Sequence, residues 1–217
     1  MATERRLSGR QAEAARNGQG ILDAARAVFI EDAAAPIARV AERAGVGIGA
    51  LYRRFPSKEA LLQHLGADGL RRYIAAVERA MDDSGDPWDA FVRFMERGIE
   101  ADTSALTVRL AGHYPSTEEL HRLRRAAYDT TQALVQRTQA AGVLRPDIGT
   151  GDIPLLFEQL QGIRGSNPAE SLALRRRHLR LLLDALHLVT APPLPGAAPT
   201  EAELSARYTP RTRGDAS

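Results

Sequence analysis

The sequence predicts an all-α protein of about nine helices, and three observations support that fold class. Alanine, leucine, arginine and glutamate, which favour helices, fill most segments of the 217-residue chain. Apolar residues recur with the helical period in one segment after another, and no segment alternates as a strand does. With 44% hydrophobic and 26% charged residues, the composition is that of a folded globular protein.

Composition also excludes several classes of protein. The chain has no cysteine, so it has neither a disulfide framework nor a thiolate metal site. The charged N-terminus lacks the apolar core of a signal peptide, and no run approaches the roughly 18 apolar residues that a membrane helix needs. We therefore expect a soluble, cytoplasmic protein with no membrane partner. The net charge is only +2, and the ten basic and seven acidic side chains of residues 1–60 contribute +3 to it.

Capping and stop signals predict where the helices begin and end. Pro36 suits the first turn of a helix, and Gly45 suits the left-handed position that ends one. The side chains predicted to cap a helix N-terminus are Ser57, Asp86, Asn167 and, as a capping box, Ser116 with Glu119. In chain order the predicted helices cover about residues 19–32, 36–44, 48–55, 57–81, a segment starting at 86, 106–112, 116–142, 152–163 and 167–190.

The two ends of the chain have a different composition from the helical body. Residues 1–15 carry arginines without an apolar stripe, which predicts a flexible basic arm. Residues 191–217 are rich in proline, alanine and glycine, so we expect a mostly disordered tail. Within that tail, Thr200 and Glu203 can cap one short helical turn.

Residues 36–55 have the pattern of a helix-turn-helix. The turn Gly45-Val46-Gly47 lies between two short helical segments, and the small Ala41 stands where the helices would touch. Val46 and Leu51 supply the apolar contacts that hold the second helix on the first. This arrangement leaves the second helix free to enter a major groove of DNA.

The residues give little support for a dinucleotide-binding, metal or catalytic site. Residues 45–50 also fit the dinucleotide fingerprint G-x-G-x-x-A, but that motif needs a preceding strand, and IARVAERA is an amphipathic helix. The five histidines have no metal-ligand spacing, and no catalytic triad or carboxylate pair stands out. We therefore expect no enzyme activity, no cofactor and no metal.

The stretch AERAGVGIGALYRRFPSKEALLQHL resembles the DNA-binding segment of the TetR family of transcriptional regulators. It contains the family's A-G-V turn, L-Y-x-x-F helix and S-K-E-A-L-L start of the next helix, with I-L-x-A-A-x-x-x-F upstream. The resemblance implies an N-terminal three-helix helix-turn-helix DNA-binding domain at 16–65 and a C-terminal helical ligand-binding and dimerisation domain at 66–190. The arm at 1–15 and the tail at 191–217 flank them.

The resemblance also implies which side chains contact DNA. Tyr52 and Lys58 would contact phosphates, and a phenol or an ammonium at a helix N-terminus has the chemistry for this. Arg53 and Arg54 are candidates for phosphate or guanine contacts, because a guanidinium fits the O6/N7 edge of guanine. Core packing for Tyr52 and an idle surface position for Lys58 are the alternatives. The predicted DNA-binding residues are Arg39, Gly47, Ile48, Ala50, Tyr52, Arg53, Arg54 and Lys58.

Two positions depart from the family pattern. Pro36 and Gly47 stand where the family usually has Ser or Thr at the start of the two helices of the motif. Each replacement removes a hydroxyl that can bind a phosphate. The expected phosphate contacts therefore shift toward arginine.

The later helices carry the candidates for a ligand pocket and a dimer surface. The candidate pocket residues are Trp88, Phe91, Met95, Arg109, His113, Tyr128 and Gln132. Core packing is the alternative for the aromatic and methionine stripe among them. The resemblance implies that the last two long helices form a four-helix bundle with a second copy of the chain. The candidate interface residues are Leu156, Leu160, Leu179, Leu182, Leu183 and Leu186.

These expectations combine into one predicted function. The protein would be a homodimeric repressor that binds an inverted-repeat operator in double-stranded DNA and is released by an unknown small-molecule effector. Two alternatives stay open. One is a constitutive or architectural DNA-binding protein without a cavity, and the other is an all-α enzyme whose first helices only resemble the motif.

Overall fold

The computed structural model describes residues 18–100, 114–187, 190 and 192–207, and all regular structure within these ranges is helical, as predicted. The helices are α1 (18–31), α2 (Ile37–Ala44), α3 (Ile48–Arg54), α4 (Lys58–Met81), α5 (Pro87–Glu100), α6 (Glu118–Ala140), α7 (Asp152–Gly162), α8 (Pro168–Leu186) and α9 (Glu201–Arg207). None of these helices is long and apolar enough to cross a membrane. The predicted arm at 1–15 and the predicted helix at 106–112 lie outside the described residues.

Most of the predicted caps are confirmed. Ser57 and Asn167 each accept a hydrogen bond from the N–H three residues later, at 3.1 and 2.9 Å. Asp86 accepts from the first N–H groups of α5 at 2.9 and 3.0 Å. Gly45 ends α2 with a φ of 65°, the left-handed conformation that glycine adopts without strain. Local side-chain chemistry therefore sets these boundaries.

The predicted capping box at the start of α6 is wrong. Thr117, not Ser116, caps the helix, and its hydroxyl accepts a backbone hydrogen bond at 3.3 Å. Ser116 instead accepts a hydrogen bond from Arg124 at 2.6 Å. Glu119 forms an ion pair with Arg71 of α4. The helix therefore begins one residue later than predicted, and Ser116 and Glu119 contact arginines instead of the helix backbone.

Two hydrophobic clusters share the long helix α4. The first joins α1, α2, α3, the N-terminal part of α4 and the start of α6, and it includes the fully buried Phe29 and Leu51. The second joins the C-terminal part of α4 to α5, α6, α7 and α8. The predicted domain boundary at residue 65 therefore falls inside a continuous helix, which couples the two clusters mechanically.

The C-terminal segment departs most from prediction. Residues 192–207, here called the C-terminal strap, lie against the helical body rather than in a disordered tail, and α8 ends at Leu186 rather than at 190. Thr200 and Glu203 form the capping box that opens α9. The Glu203 N–H donates to Thr200 Oγ1 at 3.3 Å, and the Thr200 N–H donates to Glu203 Oε2 at 2.8 Å.

Polar contacts anchor both ends of the strap. Arg145 donates to the carbonyl of Pro192 at 2.8 Å, and Asp147 accepts from a strap N–H at 2.7 Å. Glu158 pairs with Arg207 at 2.9 Å.

Hydrogen bonds from Arg145 hold the pKa of Asp147 well below its usual range. Because the folded-state pKa is depressed, this anchor stabilises the fold at neutral pH and is lost as the pH falls through that pKa.

Candidate nucleic-acid interface and pocket

The helix-turn-helix has the packing that the sequence predicts. Val40 and Ala41 of α2 and Leu51 of α3 are buried against one another and the rest of the first cluster. Phe55, directly after α3, is also buried. Gly47 caps α3 with extended backbone and no side-chain contact, and a Cβ added there would meet nothing within 4 Å. One side of α3 is therefore fixed to the protein, and the opposite side faces solvent.

The solvent-facing side of α3 is partly apolar. Ile48 and Tyr52, one helical turn apart, are 44% and 46% exposed. This exposure excludes core packing for Tyr52. An exposed isoleucine suits contact with a thymine methyl group, and an exposed phenol can donate to a phosphate.

The two arginines of α3 have different surroundings. Arg53 is exposed and makes no hydrogen bond or ion pair with any described residue. The Arg54 guanidinium lies 5.4 Å from the centroid of the Phe55 ring, so it stacks on its neighbour. Arg53 is therefore the more available of the two for reading a base edge.

Two arginines of α2 lie beside the same carboxylate of α1. Arg43 and Arg39 lie 3.1 and 3.7 Å from the two oxygens of Glu31, and all three side chains are about half exposed. Arg43 was not among the predicted DNA-binding residues, although it lies one turn after Arg39 on the same helix. Both arginines can move from this weak surface pair to a phosphate at small cost.

Lys58 turns toward the protein, and its phosphate contact stays a prediction. Its Nζ donates to the carbonyls of Ala33, Ala34 and Ala35 at 3.3, 3.0 and 2.7 Å. It also lies 5.3 Å from the centroid of the Phe29 ring. An ammonium has three donors, and in this arrangement the three carbonyls accept from all of them. Lys58 therefore ties the start of α4 to the turn between α1 and α2.

This geometry predicts that Lys58 stabilises the fold. Lys58→Met should lower the free energy of unfolding by about 1–3 kcal/mol, because three carbonyls lose a charged donor while the apolar stem stays. The salt dependence of DNA binding should not change. Chemical denaturation measures the first effect, and gel shifts at several salt concentrations measure the second.

The control for this prediction is Arg122→Met, which removes an exposed arginine of α6 that has no described partner. It should change stability by less than about 0.5 kcal/mol. An unchanged stability of Lys58→Met, together with a salt slope lower by about 1, would instead support the phosphate contact.

A cavity of about 400 Å³ lies between α4, α5, α6, α7 and the strap. This volume falls in the range of about 300–1,000 Å³ that is typical of small-molecule sites. The lining residues are Gly69, Leu70, Arg72, Tyr73, Ala76, Arg79, Phe94, Arg97, Gly98, Arg124, Ala127, Tyr128, Thr131, Thr150, Pro154, Phe157, Glu201, Leu204 and Ser205.

Of the predicted pocket residues within the described ranges, Tyr128 lines this cavity and the others do not. Phe91 and Met95 are fully buried in the second cluster together with the lining residue Phe94, but they do not reach the cavity wall. Trp88 packs on the Phe91 ring, and Gln132 is exposed. Arg109 and His113 lie outside the described residues. Periodicity identified an apolar face of α5 but not which neighbour it meets.

A hydrogen-bonded tyrosine forms part of the cavity wall. Tyr73 Oη lies 2.8 Å from Thr131 Oγ1, and Thr131 Oγ1 donates to the carbonyl of Ala127 at 2.6 Å. Since the threonine hydroxyl has one proton, Tyr73 must be the donor to Thr131. Burial raises the pKa of Tyr73 to about 12, so it stays protonated and its oxygen can still accept a hydrogen bond.

The strap forms one wall of the cavity through Glu201, Leu204 and Ser205. Its close approach depends on Gly151, where an added Cβ would overlap the carbonyl oxygen of Pro199 in the strap. Gly151 has a φ of −71°, which any residue can adopt. The glycine is therefore needed for space rather than for backbone conformation.

Gly151→Ala should displace the strap. Overpacking of this kind costs about 1–3 kcal/mol, and here the strap can relieve it by detaching. Limited proteolysis should cleave the strap faster in this variant than in the wild type. Gly162→Ala, at the other end of α7, is the matched control because its Cβ would meet nothing within 4 Å. Equal cleavage rates in the Gly151→Ala variant and the wild type would contradict this role for Gly151.

The candidate interface leucines divide into two groups. Leu160, Leu179, Leu183 and Leu186 are buried within the chain's own second cluster and cannot at the same time form an intermolecular seam. Leu156 and Leu182 are only half-buried. Leu181, which was not predicted, is 59% exposed on α8. The outward face of these helices therefore differs from the predicted seam, and their role in a dimer stays a prediction.

Comparisons with known proteins agree with this architecture. Residues 21–65 match the family model described as bacterial regulatory proteins of the tetR family. Residues 86–188 match the model described as the C-terminal domain of SbtR-like transcriptional regulators. No curated protein is similar enough to count as a match. The C-terminal strap lies beyond the matched residues.

Solved structures share the fold. A TetR transcription regulatory protein from Mycobacterium vanbaalenii is 27% identical with a TM-score of 0.58, over 82% of this chain and 99% of that one. A TetR transcriptional regulator from Streptomyces coelicolor is 29% identical with a TM-score of 0.55, over 78% and 97%. A gamma-butyrolactone receptor described as ArpA-like is 16% identical with a TM-score of 0.55, over 80% and 99%.

Proposed function

The chain belongs to the TetR family of transcriptional regulators, and on that basis we propose that it is a cytoplasmic repressor that binds its operator as a homodimer and is released by a small molecule. One observation carries this proposal: a single helix, α4, packs on the helix-turn-helix at its N-terminal end and lines the cavity from Gly69 to Arg79. An occupant of the cavity can therefore move the DNA-binding helices.

Exposed groups of α2 and α3 would bind the operator. The unpaired Arg53 would read a base, while Ile48 and Tyr52 contact the groove and the backbone. Arg39 and Arg43 supply positive charge beside them. Lys58 would act mainly by tying the start of α4 to the turn before α2.

A dimer is needed because one helix-turn-helix contacts too little DNA for tight, specific binding. The outward face of α7 and α8, with Leu181 exposed and Leu156 and Leu182 half-buried, supplies apolar area for a second copy. Two copies related by a twofold axis would read an inverted repeat.

An ion-pair chain supports coupling between the cavity and the DNA-binding helices. Asp68 accepts from Arg72, a cavity residue, at 2.9 Å and from Arg26 of α1 at 2.6 Å. A ligand that shifts α4 therefore acts on α1 directly. Release requires the ligand to prefer the non-binding arrangement by a coupling of about 1–3 kcal/mol or more.

The cavity favours an effector-controlled repressor over a constitutive DNA-binding protein, for which we expected no cavity. A gamma-butyrolactone receptor of the same fold is a further precedent. Among the described residues that line the cavity there is one carboxylate, Glu201, and no histidine, so these residues do not supply a pair of acid and base groups for an enzyme.

The experiment that tests this proposal is selection of binding sites from random double-stranded DNA with the full chain, followed by a footprint on the enriched sequence. We expect an inverted repeat with two protected half-sites. Failure to enrich any sequence, or protection of a single half-site by a monomer, would exclude the proposed mode of action.

A further inference from the structure

The interior of the cavity is mostly apolar. Leu70, Ala76, Phe94, Phe157 and Leu204 supply its hydrophobic surface. The Tyr73 hydroxyl donates its proton to Thr131, so only its oxygen is left, as a hydrogen-bond acceptor, for a ligand. A ligand body that fits this interior must therefore be largely hydrocarbon.

The charged groups of the same cavity are strongly unbalanced. Of the residues that the structure describes in its lining, four are arginines, Arg72, Arg79, Arg97 and Arg124, and one, Glu201, is a carboxylate. Glu201 itself lies 3.7 Å from a further arginine, Arg125, outside the lining. The local charge therefore favours an anion.

The four arginines also differ in whether they already have a hydrogen-bond or ion-pair partner. Arg72 binds Asp68 and Arg124 binds Ser116. Arg79 and Arg97 are exposed and have no hydrogen bond or ion pair with any described residue. Arg79 belongs to α4 and Arg97 to α5, so the two guanidinium groups flank the cavity from different helices. They are the cations most available to a ligand.

We propose that the ligand of this cavity is an amphipathic organic anion, with its acidic head group bound by Arg79 and Arg97 and its hydrocarbon body beneath the strap. This inference rests on the proposed function, since it names the chemical class of the effector. A guanidinium pair binds a carboxylate through charge-assisted hydrogen bonds, and the apolar interior buries the rest.

The position of Arg72 gives the head group a route to the DNA-binding helices. Arg72 lines the same cavity and shares Asp68 with Arg26 of α1. Arg72 and Arg79 belong to the same helix, α4, so an anion bound by Arg79 acts on the helix that carries this ion-pair chain. Binding that shifts α4 then changes the ion pairs that hold α1 against α4.

Three probes with one alkyl chain and different head groups test the assignment: octanoate, 1-octanol and octyltrimethylammonium. Titration calorimetry on the full chain should show octanoate binding about tenfold or more tightly than the alcohol, and the cation weakest. The double variant Arg79→Gln with Arg97→Gln should lose about tenfold or more in octanoate affinity and keep its affinity for 1-octanol.

The control is Arg122→Gln, which removes an exposed arginine of α6 outside the cavity and should bind octanoate as the wild type does. The proposal is overturned if the alcohol binds as tightly as the acid, if the double variant keeps wild-type octanoate affinity, or if octanoate does not bind. Operator binding is measured on the same preparation. Octanoate binding without operator binding would support the ligand class and overturn the repressor function.

Discussion

Arg53→Ala is expected to lower operator affinity more than any other single change in the recognition helix. A bidentate contact to guanine is worth about 1–3 kcal/mol of discrimination, and a dimer has one Arg53 in each half-site, so the expected loss is about 2–6 kcal/mol. The structure supports this because Arg53 is exposed and has no described partner from which it must first be released. Gel-shift titration of the selected operator measures the loss.

Arg54→Ala is the matched control, since it removes the same charge from the adjacent position of the same helix. Its guanidinium stacks on Phe55, so we expect a smaller loss that is equal for all DNA sequences. The Arg53→Ala protein should also tolerate substitutions at one base pair of each half-site. If its base preference stays at the wild-type level, Arg53 contacts only the DNA backbone.

Leu181→Glu is expected to convert the dimer to a monomer. Leu181 is 59% exposed in the single chain, so the substitution costs the monomer little. Across a twofold axis it would place two like charges in an apolar contact, and each would lose solvation without a partner. We expect dimer affinity to fall by about 100-fold or more. Sedimentation at micromolar concentration measures this, and operator binding should fall with it.

Leu194→Glu provides the control because Leu194 is also a large exposed apolar residue, at 42%, but lies on the strap. It should sediment as the wild type does. A Leu181→Glu protein that stays dimeric would place the interface elsewhere than the outward face of α8, and the proposed α7 and α8 bundle would then be abandoned.

Local features were predictable because they depend on neighbours in sequence. Gly45 ends α2 in the left-handed conformation, and Ser57 and Asn167 cap their helices, since each needs only a backbone group a few residues away. The helix-turn-helix was predictable for the same reason. The capping box predicted at Ser116 and Glu119 was wrong because the helix begins one residue later, with Thr117 as its cap.

The contacts of Lys58 with the turn between α1 and α2 could not be predicted from the motif. Its position at the start of α4 was predicted, and a helix N-terminus is a sound place for a phosphate contact. The carbonyls that it binds belong to a turn more than twenty residues earlier in the chain. The residue spacing within the motif does not predict that this turn lies beside Lys58.

The sequence by itself determined the all-α class, the helix-turn-helix and most helix boundaries, because periodicity and capping are local properties of the chain. Only the tertiary structure decided which neighbours the apolar face of α5 meets, which face of α8 is buried, where the cavity lies, and that the strap covers it. An apolar stripe specifies that a helix face is buried but not which partner buries it. The strap, rich in proline and alanine but poor in large apolar side chains, is held by Arg145, Asp147 and the space at Gly151, which the folded chain alone brings together.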